Sequence, residues 1–552
     1  MKQGIDRGKW PRRAGIGAAA LALLAAAGLI VYYIWFPARG YFHADCTDTI
    51  LWAEAAWDAG GLLNPDFAYA CLLPFGGQLL MVPFIGLFGV SMTTHMIGMT
   101  LFLLLFAGAI AALCRAMRWS AGWAMTTAAL VLLTVSSSDK LREIFWGHII
   151  YYSLGMLFLF VGLTLAFFTL RSLDTMDGAV LPGRRQLLLL GGVVLWFLLC
   201  SMNGLQALTI FALPAIAGVA GERFLDTKQD AKAAENRRAY WLIGAMAAGT
   251  VIGLLLGRLA GQGISAGYAT AYSSFDDSTA WWDNLGRLIP HWMTLLGVSV
   301  QNGDPFMAKD GICNLLRLLF GIVLAAAPVV MLFFYRKLDK PLKILLLAHW
   351  TMTALILTAF VFGLLSSADW RLSPLVCSGT LLLAAFARWM WMRREAPRVG
   401  ETEGRRTGRR FVVLPLVPAA VFCLITAVTI GKMPADYGQD TDLNAVASYL
   451  EEQGLTYGYG TFWNASSVTV LSDSKVTVRS VKLTDSGCAP DLYQTNVTWY
   501  TPQEGQETYF LLLTGSEYRE MQSVWNPLLD QAKGQLSCEG YEILLLDFCP
   551  VA

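Results

Sequence analysis

Asp45 and Asp48 stand three residues apart just beyond the first long apolar run, in the segment YFHADCTDTILW. A carboxylate so close to a membrane surface is costly unless it does chemistry or finds a partner. The chemistry open to it is to take the proton of a hydroxyl that attacks an electrophile. Asp48 also suits the N-cap of a helix over 48–58, so a structural role competes for it. Asp45 has no such local task. The complementary part of a group transfer is a cation for the departing charge, and a planar guanidinium suits phosphate oxygens. Two arginines qualify by position: Arg142, in SSSDKLREIFWGHIIYY with Lys140, Glu143 and His148, and Arg371, in SSADWRLSP. The competing readings are a salt bridge from Arg142 to Asp139 or Glu143, and an interfacial anchor pairing Arg371 with Asp369. His148 and His291 equally suit satisfied positions at helix ends. No His/carboxylate pair has diagnostic metal-ligand spacing, so a divalent metal stays open as a second way to stabilise a leaving phosphate.

The elements that hold these residues are membrane spans. The 552-residue chain is 55% hydrophobic and 15% charged, with a mean hydropathy of +0.50, where a soluble domain carries about 25% charged residues. A net charge of +1 gives no global field to attract nucleic acid. Ten cysteines without a CxxC pair argue against a zinc or redox framework. Apolar runs at 14–36, 92–114, 120–136, 150–170, 187–200, 205–221, 240–259, 315–335, 342–364, 372–390 and 411–431 predict about eleven transmembrane helices. The first is preceded by Lys2, Arg7, Lys9, Arg12 and Arg13, and is read as an uncleaved anchor with its N-terminus in the cytoplasm.

Basic residues then sort the loops. Eight arginines lie from Arg388 to Arg410, and Lys228, Lys232 and their neighbours fill another loop on the same side. On the opposite side Arg39 is the only Lys or Arg of 37–75, and the long 260–313 loop has just Arg287 and Lys309. The positive-inside rule therefore assigns residues 37–91, 260–313 and 433–552 to the outside. The pair 187–200 and 205–221, joined by Ser201-Met202-Asn203-Gly204, is the weakest point of this register: one broken helix there would invert everything downstream.

The chain divides into a membrane domain, 1–432, whose first outer loop is 37–91, and a small α/β domain, 433–552. In the second, the pattern predicts a helix over 442–453, strands at 456–463, 467–472, 475–482, 508–513 and 541–547, and a helical stretch near 516–532. Cys46 and Cys71 are spaced to bridge within the first loop, with the connectivity left open. The long outer loop carries Tyr268, Tyr272, Trp281, Trp282, Asp276, Asp277 and Asp283. Ring faces beside acids suit a sugar or acceptor platform, with Trp282 a candidate contact, and equally suit an interfacial helix.

The order of features in the N-terminal 115 residues resembles the GT-C superfamily of integral-membrane glycosyltransferases, which includes protein mannosyltransferases and the aminoarabinose transferase of lipid A. The features are an acidic residue after span one, a surface helix, a glycine about fifteen residues on, and an apolar segment ending Leu87-Phe88-Gly89-Val90-Ser91. The resemblance implies that Asp45 is the catalytic carboxylate. Cys46 stands where the family often has Glu, and Asp48 is the residue that can supply a second carboxylate. It further implies a polyprenyl-phosphate sugar as donor, the membrane lipid as its medium, and a glycan, lipid or protein acceptor on the outer face. Arg371 resembles the Arg-Leu or Arg-Tyr step that many members have near the lipid phosphate. Two other classes compete: a scaffold or binding protein that presents the C-terminal domain, and a transporter. A transporter would carry ionisable residues mid-span in repeated halves, and this sequence keeps its charges at the outer rim.

Overall fold

The computed structural model describes residues 9–174, 181–225, 233–267, 274–301, 303–395 and 416–551, with the backbone alone at 9–14, 233–237 and 394–395. Arg398–Arg410, Lys2, Arg7, Lys228, Lys232, Tyr268 and Tyr272 lie outside the described residues.

Nine helices among the described residues are long and apolar enough to cross a membrane: Gly15–Trp35, Met92–Ala116, Tyr151–Leu173, Arg184–Ser201, Leu205–Leu225, Arg238–Ala260, Lys309–Phe333, Lys340–Val361 and Asp369–Arg393. The two other expected spans are also helical but shorter, at Ala121–Thr134 and Leu416–Gly431. The outward faces of the spans carry exposed Leu21, Leu24, Leu188, Leu205 and Phe333. In water each would forfeit roughly 1.5–3 kcal/mol of burial, whereas hydrocarbon is a matched solvent for them. The pair on which the register hung is two helices, separated by a turn at Met202–Gly204 in which Gly204 takes the left-handed φ of +74°.

Helix Ala121–Thr134 turns by 117° into a second helical piece, Asp139–Gly147. The serine run Ser136-Ser137-Ser138 makes the corner. Ser136 bonds back to the Leu132 carbonyl at 2.7 Å, and Ser138 Oγ caps the new helix by accepting from the Leu141 amide. Such side-chain-to-backbone bonds offer the chain an alternative to continued helix. The corner folds Lys140, Arg142, Glu143 and His148 onto the first outer loop, where the Ile149 amide donates to Thr49 Oγ1 at 3.1 Å.

The C-terminal region forms a six-stranded mixed sheet of order β4-β3-β2-β6-β8-β7, from β2 (Tyr457–Gly460), β3 (Thr477–Thr484), β4 (Gly487–Pro490), β6 (Tyr509–Thr514), β7 (Gly534–Cys538) and β8 (Tyr541–Leu546). Alternate residues serve two cores. Phe510, Leu512, Val478 and Ile543 join the core of the membrane region through helices Asp442–Glu452 and Ala465–Leu471, and Leu511, Leu513 and Leu544 pack with Met521 of helix Gly515–Ser523. The expected strand at 467–472 is instead the helix Ala465–Leu471. Every residue of that helix is buried, which removes the polar face that a helical period would have shown. The expected helical stretch near 516–532 is two short helices, Gly515–Ser523 and Pro527–Gln531. All ten cysteines are free thiols, so Cys46 and Cys71 are not bridged.

The two regions are stitched along the first outer loop. Strand β1 (Phe67–Ala68) pairs antiparallel with β5 (Thr495–Asn496). Arg39 donates to the Leu471 carbonyl at 2.6 Å, and Asp473 accepts from the Met92 amide at 3.0 Å. Gly40 meets the backbone of Gly438 so closely that a Cβ there would fall 2.2 Å from the Tyr437 carbonyl oxygen.

Candidate active site

Asp45 lies in a single tight turn, Ala44–Thr47, closed by the Cys46 amide donating to the His43 carbonyl at 2.9 Å and by Thr47 Oγ1 donating to the Ala44 carbonyl at 2.6 Å. Its carboxylate is half-buried, and among the described residues no group donates a hydrogen bond to it. Asp48 follows at the first position of helix Asp48–Ala59. It does not cap that helix: residue 47 holds the cap position without a side-chain bond. The Asp48 side chain turns inward instead, 6% exposed, and accepts from Gln494 Nε2 at 2.5 Å. Burial, with the Asp45 carboxylate beside it, raises the Asp48 pKa well above the usual range, against the opposing pull of Gln494 and His43. The two carboxylates therefore differ in kind. Asp48 is buried and held by Gln494, and Asp45 is half-buried with no hydrogen-bond donor among the described residues.

The bent piece Asp139–Gly147 supplies one wall of a cavity. Glu143 lies between two imidazoles, 3.6 Å from His43 Nε2 and 3.7 Å from His148 Nε2, and Lys140 Nζ reaches it at 2.5 Å. Burial alone would raise the Glu143 carboxyl, but the two histidines and the lysine outweigh it and hold its pKa far below the usual carboxylate range. The His43 pKa is raised in turn. Its burial disfavours the cation, but Cys46 and Glu143 outweigh that. That cavity, of about 80 Å³, is lined by Tyr33, Tyr41, His43, Cys46, His95, Asp139, Glu143 and Trp146 among others. His148 Nδ1 and His95 Nδ1 are buried without a hydrogen-bond partner.

The two arginines have different fates. Arg142 is 2% exposed. Its guanidinium donates to the Ser136 carbonyl at 3.0 Å and to Asp139, and stacks on the Tyr33 ring at 5.2 Å. It is engaged inside the protein, with the Asp139 salt bridge that the sequence offered as its structural reading. Arg371 sits half-buried on the turn Asp369–Leu372, where its guanidinium donates to Ser366 Oγ at 2.9 Å and to the Tyr152 hydroxyl. It does not pair with Asp369, which accepts from the Trp370 amide. Trp370 connects it to the piece Asp139–Gly147, since Lys140 Nζ lies 5.0 Å from its ring. The structure thus brings His43, Lys140, Glu143 and His148 together and links Arg371 to them through Trp370, whereas Asp45 is tied to this group only by lying two residues along the chain from His43. Of the expected site residues only Glu143 lines the cavity; Asp45, Asp48, Arg142, His148, Arg371 and Trp282 do not. Trp282 is 74% exposed on helix Ser278–Leu295.

Three residues of this region escaped the sequence reading. His43 and Gln494 carried no motif of their own, and Lys140 was noted only as a neighbour of Arg142. His43, two residues before Asp45, is the one that a search for proton-handling groups beside the acidic pair could have found. Among the described residues no group of three His, Cys, Asp or Glu is disposed to hold a metal ion.

No family model matches the chain, and no curated protein sequence matches it. Solved structures do. ArnT, the aminoarabinose transferase of Cupriavidus metallidurans, superposes in its apo state with a TM-score of 0.55 at 11% identity, covering 95% of this chain and 97% of its own. The same protein bound to undecaprenyl phosphate gives 0.54 at 11% identity, covering 96% and 98%. The oligosaccharyltransferase of Archaeoglobus fulgidus gives 0.48 at 11% identity over 85% of this chain and 64% of its own. The chain therefore has a fold like that of ArnT over nearly its whole length.

Proposed function

We propose that this protein is a membrane glycosyltransferase that moves a sugar from a polyprenyl-phosphate donor to an acceptor on the outer face of the membrane, with Asp45 as general base. The observation that carries the reading is the asymmetry of the acidic pair: no group among the described residues donates a hydrogen bond to the Asp45 carboxylate, and Asp48 accepts one from Gln494. The fold of a protein whose solved form holds undecaprenyl phosphate supports the donor class. In the reaction the acceptor hydroxyl gives its proton to an Asp45 carboxylate oxygen as its oxygen bonds to the anomeric carbon. The bond from that carbon to the phosphate oxygen breaks, and its electron pair leaves with the polyprenyl phosphate, inverting the centre. Arg371, on the same outer rim, holds two oxygens of the departing phosphate through its planar fork as charge grows on them. No step is routed through a metal.

The membrane orientation belongs to the same proposal: N-terminus and the arginine-rich 388–410 loop in the cytoplasm, first loop and C-terminal domain outside. Purified protein in nanodiscs, supplied with undecaprenyl-phosphate-linked pentoses and hexoses and a lipid and glycan extract as acceptor, is expected to release undecaprenyl phosphate in step with loss of donor. Absence of release from every donor tried, by folded protein, would count against the reading and leave the scaffold alternative.

A further inference from the structure

Gln494 is 1% exposed and belongs to the C-terminal region, yet each described hydrogen bond of its side chain goes to the first outer loop. Its Nε2 donates to Asp48 Oδ1 at 2.5 Å, and its Oε1 accepts from Trp52 Nε1 at 2.6 Å and from the Ala70 amide at 3.4 Å. Its own amide donates to the Ala68 carbonyl at 2.7 Å, beginning the β1–β5 pairing. To reach this position the backbone takes φ +58°. That conformation is uncommon outside glycine and costs on the order of 1 kcal/mol or more, so the surrounding contacts must hold it. One amide from a distant part of the chain therefore grips the start of the largely buried helix Asp48–Ala59 on two sides. The residue it grips most tightly lies one turn after Asp45, and the Asp48 amide bonds the Asp45 carbonyl.

We infer that Gln494 is a positioning residue, through which the C-terminal domain sets the Asp48 side chain and, with it, the turn Ala44–Thr47 that carries Asp45. The inference rests on the functional reading above. It makes the C-terminal domain part of the reaction centre rather than an appendage, because no residue within 1–432 makes this contact with Asp48 among the described residues.

The chemistry of the contact allows a selective test. Gln494→Glu keeps an acceptor for Trp52 and Ala70 and nearly the same volume, but it removes the one donor and sets a carboxylate against Asp48. Adding Asp48→Asn restores a donor opposite the new carboxylate, so the pair is rebuilt with its direction reversed. In full-length protein in nanodiscs, Gln494→Glu is expected to lower turnover of the undecaprenyl-phosphate donors by about 10- to 100-fold, as misplaced groups do. Its KM for donor should stay close to that of the parent. The loss is expected to ease at acid pH, where the two carboxyls share a proton, and to grow as pH rises, since like charges that close cannot both ionise. The double variant is expected to regain at least half of the lost turnover, to keep the parent pH profile, and to restore the hydrogen-exchange protection of residues 44–59 that the single variant loses.

A folded Gln494→Glu protein with parent turnover would overturn the inference, and so would a folded double variant as impaired as the single. Gln494→Leu, which removes the amide without adding charge, decides the matter if the Gln494→Glu proteins do not accumulate: parent turnover in it refutes the positioning role, and a tenfold loss with abundance kept supports it. The exchange measurement separates this claim from the functional reading. Loss and recovery of protection at 44–59 with an active Asp45→Asn protein would keep the Gln494 grip and discard Asp45 as the base.

Discussion

Arg479→Met tests how firmly the two regions are joined. Arg479 on β3 meets Glu54 on the surface helix with N–O distances of 3.1 and 3.5 Å, and both side chains are mostly buried, at 13% and 15% exposed. The guanidinium also lies 3.7 Å above the Trp499 ring. At an effective dielectric near 20 the attraction across 3.1 Å is about 5 kcal/mol, and removing one partner of a buried pair typically costs about 3–5 kcal/mol because the other charge is stranded. A protein of several regions does not unfold in one step, so the effect should be read locally. By exchange of the amides of 48–59 and 495–500, a loss of about 3–5 kcal/mol in opening energy corresponds to roughly 10²- to 4 × 10³-fold faster exchange at about 1.4 kcal/mol per decade. Glu54→Gln alone should act similarly, and the double variant should cost well under the sum, because no unpaired charge remains. The exposed pair Lys475–Glu451 at 2.7 Å serves as the control, with Lys475→Ala expected to change nothing measurable. Unaltered exchange in Arg479→Met, or strict additivity in the double, would refute the argument.

Asp48→Asn is expected to be stabilising at neutral pH in thermal unfolding. The folded-state pKa of Asp48 is raised, so its ionisation penalises the fold from the ordinary carboxylate range upward. The advantage of Asn should be absent below about pH 3.9 and grow as pH rises; a difference that shrinks with pH would contradict the assignment. Arg371→Lys keeps the charge but not the fork. It should impair turnover of the lipid-linked donor at unchanged protein abundance by about tenfold, and normal turnover would return it to the role of an anchor. Impermeant thiol reagents on intact cells should label a cysteine introduced at position 500 and not one at position 400. The opposite pattern would reverse the orientation.

The apolar helices were legible because hydropathy is set by the bilayer, which acts on composition rather than on contacts. Asp45 and Asp48 drew notice for the same reason: carboxylates beside an apolar run are conspicuous. Asp48 was seen but assigned to the wrong partner, since a helix cap is local and Gln494 is hundreds of residues away. The two-residue strands β1 and β5 have no periodicity to detect, and their pairing was invisible. The sequence SSVTVL offered β-branched residues to a strand reading, and burial on all sides hid the helix that it forms. The 117° corner at the serine run, which folds Glu143 and His148 toward His43, depended on packing that no local signal announces.

The central claim is that Asp45, and not Asp48, takes the acceptor proton. The most direct measurement is donor turnover by Asp45→Asn and Asp48→Asn proteins of equal abundance and equal exchange protection at 44–59. Loss of about 10²- to 10⁴-fold for Asp45→Asn, with no more than a mild loss for Asp48→Asn, is the expected result. A dead Asp48→Asn beside an active Asp45→Asn would contradict it.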